Sequence, residues 1–345
     1  MVTISDLSKH LGLSKTQVSR ALNGYSDVNE ATRQRVVEAA REIGYRPNAL
    51  AQKLRRGRSG IVGLVLPEGS AQQEANILNE MLLGLAVQFL RRDTLVVLNV
   101  MPEGGTTVEV YERLSSDGRL DGFVVLNPGV DLPGIEFLQQ VGMPLVVHGR
   151  HAAEVDYPYV DIDNCAAGRM MAGHLVALGH RDIGFVEGPV GMFYADERLR
   201  GVEQAMGLTG AGLRPERMVR GMMTEFLGEA AAQQFLSDPD DRPTAIIAGN
   251  RVVATGLVRA IKALGLSIPG DVSVVAHDDD LVRYPAESFT PRLSGSHSAF
   301  ATAYDLLSDY LNRVIAQADR KSVQIVIQPD FVEGASTRRV DGSGR

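Results

Sequence analysis

The chain has 345 residues, 44% of them apolar and 22% charged, with one cysteine (Cys165) and no tryptophan. That length supports two or three domains with real cores, and the lone cysteine excludes an internal disulfide and points to a reducing cytoplasm. No apolar run approaches the roughly 18 residues of a membrane span, MVTISDLSKH is not expected to be a signal peptide, and the net charge of −7 is split: residues 1–60 carry eleven Lys/Arg against five Asp/Glu, which leaves −13 on the rest.

A basic head on an acidic body is the balance of a polyanion-binding module joined to a soluble partner domain. In chain order, Ile4, Leu7 and Leu11 form a helical stripe behind Thr3 as cap, and Gly12 ends it. Ser14 caps a second predicted helix, Lys15–Asn23, with Val18 and Leu22 facing inward. A third follows Asn29, buries Val36, Val37, Ala40 and Ile43, and stops at Gly44 and Arg46-Pro47. Two helices joined by a tight glycine turn are helix-turn-helix grammar. The polar residues Lys15, Thr16, Gln17, Ser19 and Arg20 of the second helix are then available to base edges and phosphates; the bland alternative is a small three-helix cap with a solvated face. After Pro47, NALAQKLRRGRSG offers two to three helical turns with Leu50 and Leu54 at i, i+4. A helix this short is marginal alone, so it is expected to order only when docked, which makes it a candidate switch.

From Ile61 short apolar runs alternate with helical stretches. Strands are predicted at Ile61–Leu66, Leu95–Val100, Phe123–Leu126, Leu145–His148, Ile183–Val186, Ala245–Ala248, Val272–Ala276 and Val323–Ile327. Helices are predicted at Ala75–Arg91, Val108–Ser116, Ile135–Val141, Cys165–Leu178, Arg198–Met206, Leu227–Leu236, Val252–Leu264 and Ala299–Ala316. Continuous apolar strands with crossover helices mean parallel sheets covered on both faces, here two sheets, with ligands at the carboxyl ends of the strands. With no tryptophan, the aromatic walls of a pocket at those ends fall to Phe193, Tyr194 or Phe300, with Met223 beside them, and each could equally be core. Glu74 and Asn76 sit where the first-strand loop meets a cleft, and Arg150 in VVHGR ends a strand beside DYPYVDIDN, which carries two further tyrosines.

The string VTISDLSKHLGLSKTQVSRALNGYSDVNEATRQRVVEAAREIGYRPNALAQKLRRGRSGIVGLV resembles the head and hinge of the LacI-type (LacI/GalR) family of bacterial transcription regulators, without a gap. LVALGHRDIGFVEGP, DRPTAIIAGN and IPGDVSVVAHDDD resemble its later landmarks in order. The resemblance implies a homodimer reading pseudo-palindromic double-stranded operator DNA, with Lys15 and Thr16 as the main specificity positions and Ser19, Arg20 and Asn23 in support. It also implies that paired hinge helices enter the minor groove, where Leu54, among Asn48, Ala51, Lys53 and Arg55, wedges between base pairs and kinks the duplex. For the body it implies two periplasmic-binding-protein-like subdomains with a small-molecule effector in the cleft between them. Arg198, Asn250 and Asp278 fall at the polar heart of that pocket, and Ser298 at a further polar position. Such a set suits a polyol: Arg198 clamps hydroxyls or a carboxylate, Asp278 accepts hydroxyls and Asn250 does both, the alternative for each being a structural ion pair or cap. The implied domains are 1–46 (helix-turn-helix), 47–58 (hinge helix), 59–161 with 292–321, 162–291 with 322–333, and a flexible tail 334–345.

The chain departs from the family pattern at Asn250-Arg251 (commonly Asn-Asp), at Ala276-His277 (commonly Gly-Phe or Gly-Tyr) and at Gly149 (commonly Asp). VVHGR, DYPYVDIDN and AHDD resemble a subgroup associated with α-glucoside use. Enzyme motifs fail: there is no phosphate loop, dinucleotide fingerprint, HExxH or GxSxG. Neither cofactor nor metal is expected. His277-Asp278-Asp279-Asp280 could suggest a divalent-metal hydrolase, but neighbours on a strand end point in alternating directions. A transport-type solute-binding protein shares the body's architecture, and the basic head argues against it. The expected function is a cytoplasmic repressor of carbohydrate-use genes, controlled by a sugar or glycoside; the sequence leaves open whether the ligand releases or tightens DNA.

Overall fold

In the computed structural model the described residues are 2–22, 25, 27–45, 58–67, 75–126, 129, 132–208, 210, 212–317 and 323–340. The chain divides into two units, Met1–Gly60 and Ile61–Arg345, and each is taken by itself.

The first unit is three short helices, α1 (Ile4–Leu11), α2 (Lys15–Leu22) and α3 (Glu30–Glu42). Local chemistry fixes their ends. Thr3 and Asp6 form a reciprocal capping box on α1, Gly12 ends it in the left-handed conformation, and Asn29 Oδ1 accepts the Thr32 N–H on α3. Leu7, Val18, Ala21, Val36, Ala39 and Ala40 are buried where the helices meet, so the 3.6-residue stripes alone account for this core. The proposed hinge lies outside the described residues up to position 57.

The second unit is built on two parallel sheets. The first contains β1 (Ile61–Pro67), β2 (Leu95–Met101), β3 (Gly122–Leu126), β4 (Leu145–His148), β5 (Tyr159–Ile162) and, far along the chain, Gln324–Ile327, in the order 324–327, β5, β4, β3, β1, β2. The second contains β6 (Ile183–Glu187), β7 (Met218–Arg220), β8 (Ala245–Ala248) and β9 (Ser273–Ala276), in the order β7, β6, β8, β9. Around the first sheet lie α4 (Ala75–Leu90), α5 (Thr107–Ser116), α6 (Pro133–Gln140) and a late helix at Phe300–Ile315. Around the second lie α7 (Asn164–Ala177), α8 (Phe193–Gly207), α9 (Glu225–Leu236) and α10 (Arg251–Ala263). Each sheet has a buried apolar cluster on both faces, as fully covered parallel strands require. The outer strand β2 is the exception, with Leu95, Leu98 and Val100 exposed.

Three expectations about segment assignment are corrected. Residues 322–333 do not all belong to the second subdomain, because β11 (Gln324–Ile327) pairs in parallel with Tyr159–Ile162 of the first sheet; an apolar run carries no mark of which sheet it joins. Conversely, within 292–321, β10 (Gly295–His297) pairs antiparallel with β12 (Asp330–Val332) and bridges to the second sheet through Ser294 and Val275. Only the helix α11 (Phe300–Ile315) belongs with the first sheet. The tail 334–340 is docked, not loose: Val274 N–H donates to Ser336 O at 2.9 Å, Ser336 Oγ donates to Val274 O, and Val340 N–H donates to Leu178 O at 2.8 Å. Its polar residues are backbone partners of β9, which composition does not reveal. The chain therefore passes between the sheets near residues 162–164, 297–300 and 327–330, and the first two passages contribute Ile162, Asn164 and Phe300 to the site described next.

Candidate nucleic-acid interface and ligand pocket

In the first unit α2 buries Val18 and Ala21 and exposes Lys15, Thr16, Gln17 and Arg20, with Ser19 half-buried. The first two are the first residues of the helix, so they project from its amino end, where a groove-docked helix meets base edges. Gln17 does a different job from the one expected. Its Oε1 accepts from Ser14 N–H and Ser14 Oγ at 3.0 Å each, closing a capping box in which Gln17 N–H donates to Ser14 Oγ. Only its amide nitrogen remains for a ligand. Arg20 is held by Asp27 at 2.6 Å and lies 5.1 Å from the Tyr25 ring centroid. An exposed pair of this kind is worth about 0–1 kcal/mol, so it can be exchanged for a phosphate. Asn23, Asn48, Ala51, Leu54 and Arg55 lie outside the described residues.

In the second unit a cavity of about 100 Å³ opens between the carboxyl ends of the two sheets. Arg150, Tyr194, Arg198, Met223, Asn250 and Phe300, all expected from the sequence, line it. The helix α8 starts at Phe193, five residues earlier than predicted, so Tyr194 and Arg198 stand at i, i+4 with the guanidinium 5.9 Å from the ring centroid. Arg198 is itself buried: Nη1 donates to Gly249 O at 2.7 Å and faces both Glu187 carboxylate oxygens at 3.3 Å, and Nη2 donates to Asn164 Oδ1. Its Nε is buried without a hydrogen-bond partner among the described residues. Asn250 caps α10, its Oδ1 accepting from Val253 N–H at 3.0 Å, which leaves Nδ2 for a ligand. Arg150 Nε donates to Asp161 at 2.8 Å while its guanidinium packs 5.1 Å from both Tyr159 and Phe193.

Three expected residues stand outside the lining. Asp278 is turned out of the pocket by Arg251, whose Nη2 lies 2.6 Å from Asp278 Oδ2; this is the arginine at which the chain departs from the family pattern. Burial pushes the Asp278 carboxyl above its usual range, against the Asp280 N–H and Arg251, which lower it. Phe193 supports Arg150 instead of lining the cavity, and Ser298 is buried with its Oγ unpartnered among the described residues. Glu74 and the side chain of Asn76 lie outside the described residues, while the neighbouring Ile77 and Met81 line the cavity.

The residues missed sit at strand ends. His148 closes β4, Asp161 and Ile162 close β5, Asn164 opens α7, and Asp279 takes the place given to Asp278. The signal was present, because these are the carboxyl ends of parallel strands. Burial drives the His148 imidazole below its usual 6.5 against the opposing fields of Asp161 and Asp279, so it is neutral at pH 7. Its Nε2 is also unpartnered among the described residues. Asp279 Oδ1 lies 3.2 Å from His277 Nε2, whose ring is anchored through Nδ1 to Ser296 Oγ at 2.8 Å. The described residues include no cluster of three or more His, Cys, Asp or Glu that could hold a metal.

Residues 3–48 match the bacterial regulatory proteins of the lacI family, and residues 172–337 match a periplasmic binding protein-like domain. The transcriptional regulator AglR of Rhizobium meliloti (strain 1021) is 38% identical over 304 residues, covering 88% of this chain and 85% of AglR. The repressor PurR of Salmonella paratyphi B is 32% identical over 345 residues, 97% of each chain. The chain belongs to the LacI family. It is therefore a DNA-binding transcriptional regulator with a helix-turn-helix head and a periplasmic-binding-protein-like core. Among solved structures, the transcriptional regulator CelR in complex with cellobiose is 27% identical, with a TM-score of 0.68 over 97% of this chain and 100% of that one. The lac repressor dimer bound to operator and the anti-inducer ONPF shares the fold, at 24% identity and a TM-score of 0.80 over 98% and 99%. No described helix of this LacI-family chain is long and apolar enough to cross a membrane.

Proposed function

We propose that this LacI-family regulator is a cytoplasmic, homodimeric repressor, not an enzyme, whose grip on operator DNA is set by a sugar or glycoside bound between its two sheets. The observation that carries the reading is the chemistry of the cleft: carboxylates of Asp161 and Asp279 as acceptors, Arg198 Nε and Asn250 Nδ2 as donors, and Tyr194 and Phe300 as apolar walls. Alternating donors and acceptors against aromatic faces suit a polyhydroxylated ring. AglR and the cellobiose complex of CelR favour a glycoside, with α-glucosides the first class to test. Exposed Leu83, Val87 and Leu90 of α4 and the bare apolar face of β2 offer the area a second copy would cover. Lys15 and Thr16 read bases, Arg20 takes a phosphate, and the segment around Leu54 joins the core to the operator.

The test has two parts. Operator sequences are selected from random DNA with the full chain, and a two-fold symmetric site is expected. Lys15→Ala or Thr16→Ala then relaxes selection at one position of each half-site, a loss of about 1–3 kcal/mol per base contact. The operator complex is titrated with maltose, trehalose, sucrose, cellobiose and hypoxanthine while thermal unfolding is followed. A bound ligand at a hundred times its Kd adds about 2.7 kcal/mol of stability. Coupling is reciprocal, so a sugar that weakens operator binding must bind the operator complex more weakly by the same factor. Selection of asymmetric DNA, or a response to hypoxanthine alone, refutes this assignment.

A further inference from the structure

We propose that Glu187 fixes the charge class of the effector: by neutralising Arg198 from behind the cavity it makes the cleft a site for uncharged polyols and turns away sugar phosphates and sugar acids. The inference rests on the cleft being the effector site and deepens that reading.

An arginine in a pocket is ordinarily an anion receptor, because its planar fork presents paired donors to a carboxylate or phosphate. In this cleft three of the five guanidinium N–H are already engaged, and the charge is met by a buried carboxylate. Arg198 Nη1 is taken by Gly249 O and the Glu187 carboxylate, and Nη2 by Asn164 Oδ1. Glu187 is fully buried at the end of β6 and does not line the cavity, so it acts on a ligand only through Arg198. Its position is built: Oε1 also accepts the Gly188 N–H at 2.9 Å, and a Cβ on Gly249 would lie 2.6 Å from that same oxygen. The glycine leaves the room the carboxylate fills.

The remaining charges in the lining repeat the pattern. Arg150 is paired with Asp161 at 2.8 Å. Asp279 adds a carboxylate whose neighbour at 3.2 Å is the His277 ring, and His148 is neutral. Among the described residues every lining cation therefore carries its own carboxylate, with one acid in excess. An anionic ligand would enter beside Asp161 and Asp279 and meet only guanidinium groups whose charge a carboxylate already offsets. An uncharged polyol finds acceptors in both acids and single donors in Arg198 Nε and Asn250 Nδ2.

The experiment is calorimetric titration of the full chain with trehalose, trehalose 6-phosphate and inorganic phosphate, in the wild type, Glu187→Gln, Arg198→Gln and the double variant Glu187→Gln/Arg198→Gln. The wild type is expected to prefer trehalose to its phosphate at least tenfold and to take up no phosphate through Arg198. Glu187→Gln is expected to gain at least tenfold for the two phosphates, and the double variant to lose that gain. Phosphate binding by the wild type that disappears in Arg198→Gln overturns the proposal, as does an unchanged phosphate affinity in Glu187→Gln. Should Glu187→Gln not fold, the wild type decides alone: Arg198-dependent phosphate binding overturns the proposal and its absence at millimolar phosphate upholds it. The two readings also separate. A gain of phosphate binding in Glu187→Gln with no sugar bound by the wild type upholds the role of Glu187 and removes the sugar; a bound sugar with no change on substitution does the reverse.

Discussion

Gly249→Ala tests whether the pocket is held by close packing behind it. The residue follows β8, its N–H donates to Val186 O at 2.7 Å, and its carbonyl receives Arg198 Nη1. Its φ is not in the left-handed region, so alanine meets no backbone penalty and the outcome depends on contacts alone. An added Cβ would stand 2.6 Å from Glu187 Oε1, 2.8 Å from its Cδ and 2.7 Å from Met223 Cε. Ordinary contact needs at least about 3.5 Å, so each neighbour must retreat by nearly an ångström. The thioether end of Met223 can swing aside. Glu187 cannot, because it is held by Gly188 N–H and Arg198 with protein on every side. Overpacking costs about 1–3 kcal/mol, and a stiffer unfolded chain returns about 0.4–1 kcal/mol. The expected net loss is about 1–2 kcal/mol, read as a lower urea midpoint at unchanged slope. Effector affinity falls with it, because Arg198 follows Glu187. Gly173→Ala is the matched control: it lies inside α7 with nothing within 4 Å of an added Cβ, and is expected to gain about 0.8–1 kcal/mol. Equal midpoints for the two variants, or a gain for Gly249→Ala, would refute the packing argument.

Two further predictions separate neighbouring residues and pH. Asp279→Asn is expected to lower effector affinity at least tenfold while Asp278→Asn changes it less than threefold, measured by titration with whichever sugar the panel identifies; the reverse order would restore Asp278 to the pocket. His180 is buried, with Nδ1 against Thr244 Oγ1 at 2.8 Å and Nε2 against Arg338 O at 3.0 Å, and burial drops its pKa from 6.5 to about 4. The unfolded chain therefore binds a proton between pH 6.5 and 4 that the native chain does not, and stability falls as pH drops through that window. His180→Gln should flatten the dependence of the urea midpoint between pH 7.5 and 5, and an unaltered slope would mean His180 does not report the docking of the C-terminal segment.

What the sequence disclosed follows the strength of each local rule. Ser14, Asn29 and Gly12 mark helix ends by short-range chemistry, and the head could be drawn from them. Continuous apolar runs such as Ile183–Val186 and Ala245–Ala248 have no other place than a covered parallel sheet. Weaker strands escaped: Tyr159–Ile162 interrupts its apolar run with Asp161, and Met218–Arg220 is three residues long with an arginine. The tail escaped for a different reason. Ser336 is fully buried, and Arg338 N–H donates to Ser273 Oγ at 3.1 Å, but a polar, glycine-bearing segment looks the same whether its backbone meets water or a strand edge.

The pocket shows where residue type stops carrying information. Arg198 and Asn250 line the cavity while also serving as ion-pair partner and helix cap, and what each can offer a ligand depends on what has already claimed its donors and acceptors. Arg198 with an uncompensated guanidinium would be an anion clamp, whereas here Glu187 offsets its charge and three of its five N–H are already engaged. Asp278 and Asp279 are the same residue type one position apart, and the pleat sends them to opposite sides. Arg251 then settles which one faces the ligand by holding Asp278 at 2.6 Å. Arg251, at a position where the family pattern commonly has an acid, thus pairs with Asp278 while Asp279 lines the cavity. The partners behind the lining, Glu187 for Arg198 and Arg251 for Asp278, therefore govern what those two side chains have left to offer a ligand.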